Sequence, residues 1–107
     1  MPDINKKLVV LFRVEPGSLG PDGIDKVERF CLFAQQEVSR LNSAILHIKI
    51  TPRYDKTLAE MEYSYCGKRL THEQAEKYMD TFKGNLEELE LALADKISLL
   101  IDTFLAS

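Results

Sequence analysis

Thr71–Leu105, THEQAEKYMDTFKGNLEELELALADKISLLIDTFL, is the stretch whose reading decides the fold. Ala75, Tyr78, Met79 and Phe82, then Leu86, Leu89, Leu93, Ile97, Leu100 and Phe104, recur at steps of three and four. With successive residues 100° apart, both groups fall on one arc, so the phase predicts a single helix across the whole stretch. Glycine inside a helix costs only about 1 kcal/mol, which packing on both sides of Gly84 can outweigh. Such a helix would be roughly 50 Å long at 1.5 Å per residue, against a radius of gyration of about 13 Å for a compact globule of this size. Its overhang would need a partner. Thr71 with Gln74 forms a capping box at the start, and a second box, Asn85 with Glu88 beside Gly84, marks the alternative of a break or kink at Gly84–Asn85. Steps averaging 3.6 favour straight packing over a sustained supercoil.

Upstream, Lys7–Val14 is β-branched and apolar on both faces, as a buried strand requires. Glu15–Gly23 carries three glycines and two prolines and ends near Asp22, an N-cap candidate. Ile24–Leu41 reads as a helix with Ile24, Val27, Phe30, Cys31, Ala34, Val38 and Leu41 on its buried arc, while Leu32 and Phe33 fall outside it. Ala44–Thr51 then alternates, with Leu46, Ile48 and Ile50 inward and His47 and Lys49 outward. After the turn material of Pro52–Thr57, Ala59–Cys66 alternates again, so the two segments read as a β-hairpin, and Gly67–Leu70 leads into the next helix.

The order β-α-β-β-α(-α) implies an α+β two-layer sandwich: a three-stranded mixed sheet, helices on one face, and a long C-terminal helix. A right-handed crossover makes the first two strands parallel, with the third between them or at the edge. The other sheet face would carry Val9, Leu11 and Ile45 beside Arg13, His47 and Lys49, an apolar and basic mixture that a second chain could cover.

With 107 residues, 45% of them apolar, the chain suffices for one core, and a single domain over 1–107 is expected. The net charge of −3 is unevenly spread. Residues 1–43 hold six cations and six acids, 44–72 five against three, and 73–107 three against eight. The acidic C-terminal part would repel a phosphate backbone, which leaves only the basic centre for nucleic acid. The two cysteines make no disulfide framework and no basic-then-apolar leader opens the chain, so free thiols and a cytoplasmic location are expected. The longest apolar run, Leu8–Phe12, is far below the roughly 20 residues of a membrane helix.

Chemistry-bearing motifs are sparse. Gly17, Gly20 and Gly23 precede a helix but match no phosphate-binding spacing, and Glu15, Asp22 and Asp25 would repel an anion. Cys66 and His72 could form a nucleophile and base if their side chains met, although Glu60 and Glu62 nearby would raise a thiol pKa. His47, His72 and Cys66 stand at no metal-ligand spacing, so neither metal nor cofactor is expected. Lys49, Arg53, Lys68 and Arg69, interleaved with Tyr54, Tyr63 and Tyr65, could hold a single-stranded nucleic acid, but alternation puts Tyr63 and Tyr65 on the core side. The leading expectation is a small non-enzymatic protein-interaction domain, an adaptor or regulator. It would be homodimeric through its C-terminal helix, with Leu91, Leu99, Leu100, Phe104, Leu32 and Phe33 at the interface. Nucleic-acid binding and a thiol enzyme are the alternatives.

Overall fold

The computed structural model describes residues 6–106. β1 (Leu8–Val14) is the inner strand that the apolar run implies, with Leu8, Val10, Phe12 and Val14 all buried. It pairs in parallel with β2 (Leu46–Pro52), from Leu8 opposite Leu46 to Val14 opposite Pro52. On its other side it pairs antiparallel with β3 (Met61–Tyr65), Val10 opposite Tyr63. The mixed sheet has four strands, not three: β4 (Lys68–Leu70) extends it in the order β2-β1-β3-β4.

The expected hairpin between the second and third strands does not exist. β1 separates them, because the crossover through α1 (Gly23–Val38) returns the chain to lay β2 beside β1, on the side away from β3. The hairpin is β3–β4. Cys66 and Gly67 link Tyr65 to its partner Lys68 with φ of 53° and 77°, the left-handed pair that a two-residue type I′ turn demands. Gly67–Leu70 hid this strand by being short and charged.

The helices cover one sheet face. α1 begins one residue before the expected Ile24, and Asp22 sits at its N-cap without a side-chain capping bond. Gly23 is there for space: a Cβ on it would overlap the Pro16 carbonyl oxygen, where a 3-10 turn over Pro16–Leu19 drives Leu19 into the core. Ile24 and Leu41, expected inside, lie exposed at the two ends of the first helical segment, whose last turn, Ser39–Leu41, is 3-10. Gln35 reaches from α1 to the outer edge of β2, donating to Ile48 C=O (2.8 Å) and accepting from Ile50 N–H (2.8 Å). Asn42 accepts from Ile48 N–H (2.8 Å), and Ser43 N–H donates to Leu46 C=O (2.9 Å). The edge is thus occupied by side-chain amides and local backbone, which leaves little to template another strand.

The long helix is broken. α2 (His72–Thr81) begins with the expected capping box, Gln74 N–H donating to Thr71 Oγ1 and Thr71 N–H to Gln74 Oε1. It ends when Lys83 adopts φ of 59°; Lys83 N–H then donates to Asp80 C=O (3.0 Å) and Gly84 N–H to Met79 C=O (2.8 Å). This pair of bonds is a Schellman motif, which satisfies carbonyls that a helix end would otherwise orphan. α3 (Leu86–Ala106) restarts with Asn85 Oδ1 accepting from Glu88 N–H (2.9 Å). Continuity lost because both halves keep their apolar phase and still reach one core after the reversal, Ala75 and Met79 joining Leu86, Leu93, Ile97 and Leu100. The longest molecular dimension is 41 Å, so the 50 Å rod that implied an overhang is absent.

Gly23→Ala is expected to lower the unfolding free energy by about 3 kcal/mol, an overpacking cost taken by backbone that cannot yield. Gly17→Ala is the control, since its added methyl would meet only the Glu15 side chain at 3.9 and 4.0 Å. Urea midpoints at unchanged m-value measure both.

Candidate functional site

The six residues expected at an interface divide evenly. Leu100 is 6% exposed and belongs to the core. Phe104 packs on Phe30 (ring centroids 5.4 Å) and Phe33 (5.9 Å), so this trio fastens α3 to α1 and is already spent within the chain. Leu91, Leu99 and Leu32 remain, at 60%, 64% and 71% exposed. At 100° per residue, Leu91 and Leu99 lie within about 80° of each other on the outer arc of α3, and the same arc carries Glu88, Asp95 and Asp102. All five are exposed, and no lysine or arginine among the described residues falls within it. Leu32 stands elsewhere, on the β2 side of α1, rimming a shallow depression of about 470 Å³ with Ile50, Pro52 and Tyr54. Leu91, Leu99 and Leu32 therefore lie on two separate surfaces.

The four basic residues are not one surface either. Lys49 and Arg69 point to the sheet face free of helices, with Val9 and Leu11 between them, and Ser64 pairs with Arg69. Lys68 pairs with Tyr65, which places it on the helix side of the sheet. Arg53 is occupied in its own loop, donating to Leu58 C=O (3.0 Å) and Lys56 C=O (3.1 Å) with Glu15 at 4.0 Å. None of the three tyrosines shares a face with Lys49 and Arg69. Tyr63 is buried under the helices, Tyr65 stacks toward Tyr78 (5.5 Å), and Tyr54 donates to Glu28 on α1 (2.9 Å). Lys49 and Arg69 thus lie on the sheet face opposite these aromatics, whereas Lys68 shares the helix side with Tyr65.

The open face is electropositive in its own right. Arg13, only 8% exposed, donates to Ala59 C=O (2.6 Å) and Glu62 (3.0 Å), and Arg69 adds a second contact to Glu62 (3.5 Å). Glu62 is thereby paired with two arginines, while Lys49 stands opposite Leu11 in the sheet register. Burial first, and then the charges of Lys7 and Lys49, hold the His47 pKa below the usual histidine value. Ile45, expected on this face, instead packs against the core, its carbonyl accepting from Tyr78 Oη (2.7 Å) and Leu8 N–H (2.9 Å).

Cys66 and His72 serve different neighbourhoods. Cys66 is exposed in the hairpin turn, whereas His72 sits at the start of α2 with Nδ1 2.7 Å from Glu76 and Nε2 3.2 Å from Glu90. With both nitrogens facing carboxylates, the ring has none turned toward a thiol, and Tyr63 completes the group by donating to the second Glu90 oxygen. The Glu90 hydrogen bond above all, with the charges of Glu90 and Glu76, raises the His72 pKa. Only the imidazolium has N–H donors for both carboxylates. Cys31 is buried, its thiol pushed up to about 11 by burial and then by Glu28. Sequence reasoning missed the His72–Glu90–Tyr63 group because it joins three elements; the i, i+4 spacing of His72 and Glu76 was its one visible sign.

Among the described residues no group of three or more His, Cys, Asp or Glu side chains is arranged to hold a metal, and no helix is long and apolar enough to cross a membrane. Compared with models of known families, with curated proteins and with solved structures, the chain finds no match.

A histidine whose folded pKa is raised contributes stability that is fully present below its unfolded value, near 6.5, and is lost as pH rises through the folded pKa. His72→Gln is therefore expected to lower the melting temperature most near pH 6 and progressively less toward pH 8. His47, shifted the other way, contributes the opposite slope in both proteins and cancels in the difference between their melting curves.

Proposed function

We propose that the protein is a small non-enzymatic protein-interaction domain, an adaptor or regulator, that associates with a second copy of itself through the outer face of α3. One observation carries this: Leu91 and Leu99, 60% and 64% exposed, stand two turns apart on a single arc of the longest helix. Isolated surface leucines are ordinary, but two in line on a helix whose inner face is already fully used make a second apolar seam. The core contribution of Leu100, Phe104 and Phe33 narrows the contact to Leu91 and Leu99, and Leu32 belongs to a different patch. A non-enzymatic role is supported by His72, whose ring is engaged by Glu76 and Glu90 and so is not disposed as a base for Cys66. Two unpaired cysteines, one of them exposed, agree with a reducing cytoplasmic setting.

The double variant Leu91→Asp, Leu99→Asp is expected to reduce the molar mass measured by light scattering at about 100 μM from that of an assembly to that of one chain, while its circular dichroism stays native. Both leucines are exposed, so folding should not depend on them. An unchanged assembly in the variant, or a wild-type protein that is monomeric at that concentration, sinks this reading.

A further inference from the structure

We propose that the α3 seam of one copy docks on the open sheet face of the next, so that the chain assembles head to tail instead of pairing α3 with α3. This rests on the self-association proposed above and specifies its geometry. Like charge argues against a symmetric helix pair. Antiparallel packing centred on Asp95 would set Leu91 against the partner's Leu99, but it would also set Asp95 against its own copy and Glu88 against the partner's Asp102. Opposed carboxylates destabilise a contact wherever no cation intervenes, and the arc holds none.

The sheet offers what the seam lacks. Val9 and Leu11 are only half-buried, in the middle of a face that no helix of the described residues covers. Lys49 is exposed beside them on β2, Arg69 is exposed across the sheet on β4, and Glu62 is held by Arg13 and Arg69. Leucines and acids on one surface thus meet aliphatics and cations on the other. The dimensions agree as well. Leu91 to Leu99 spans about 12 Å and Glu88 to Asp102 about 21 Å along the helix, while β1 is about 23 Å long and β2 to β4 about 14 Å across. A helix laid along the strands fits within that face.

The two surfaces lie on opposite layers of the molecule, so one chain cannot satisfy both by itself. The β2 edge is closed by Gln35 and Asn42, which disfavours strand addition on that side, and β4 at the other edge is only three residues long. Such a contact is heterologous and repeats without limit unless its rotation closes a ring.

Complementation tests this directly. Leu91→Asp with Leu99→Asp removes the seam, and Lys49→Glu with Arg69→Glu removes the receiving face. Each variant alone is expected to be monomeric, whereas their equimolar mixture forms a discrete 1:1 pair, because each retains the surface the other has lost. If the Lys49→Glu, Arg69→Glu protein assembles as wild type does, or if the mixture forms no pair, head-to-tail docking is overturned while self-association stands. A wild-type monomer overturns both. Should the charge reversal impair folding, salt on the wild-type protein decides. Opposite charges across the contact weaken it, by about tenfold in Kd between 50 and 500 mM NaCl, whereas an α3–α3 contact between acids would tighten.

Discussion

The hydrogen bond from Gly84 N–H to Met79 C=O closes a loop on which the arrangement of everything after it depends. It forms only with Lys83 in the left-handed region, a conformation that costs a residue with a Cβ about 1 kcal/mol or more, and that cost is met by carbonyls that would otherwise end α2 unpaired. Because the chain reverses there, α3 returns over its own domain. Its inner arc then fills the core beside α1, Phe104 closes against Phe30 and Phe33, and Glu90 comes within reach of Tyr63 and His72. A straight helix would have carried all of these contacts away from the sheet.

That reversal also explains why the apolar stripe was an ambiguous guide. Periodicity reports which side of a helix is apolar, and two helices in the same phase leave the same trace whether they are collinear or folded back. The deciding information was local, in Gly84, Asn85 and Glu88, and it was set against a longer signal pointing the other way. Strand alternation was more reliable: Leu46, Ile48 and Ile50 are inside, His47 and Lys49 outside, and β1 is the inner strand its composition required. What alternation could not supply was pairing. β2 and β3 are neighbours in sequence but not in the sheet, and β4 has only three residues in which to show a pattern.

Surface chemistry was legible residue by residue and not as surfaces. Lys49, Arg53, Lys68 and Arg69 look alike in a sequence, yet one organises a loop, one lies on the helix side and two share an open face. Phe33 and Phe104, both noted as apolar residues in search of a partner, are partners of each other across most of the chain's length. Leu91 and Leu99 keep their exposure because the inner arc of α3 is complete without them. The division of charge along the chain becomes in three dimensions a division between layers, with an acidic outer helix and a more basic bare sheet.

Gln35 gives the sheet a dependence on order of events. Its amide presents a donor and an acceptor to Ile48 and Ile50 as a neighbouring strand would, so one side chain stands in for a missing fifth strand. That protection arrives only when α1 is seated. In a chain whose β1 and β2 have paired before the helix docks, the Ile48 carbonyl and the Ile50 N–H on that edge stay open to another strand. The order in which α1 docks and β2 pairs therefore sets how long that stretch of edge stays open to another strand.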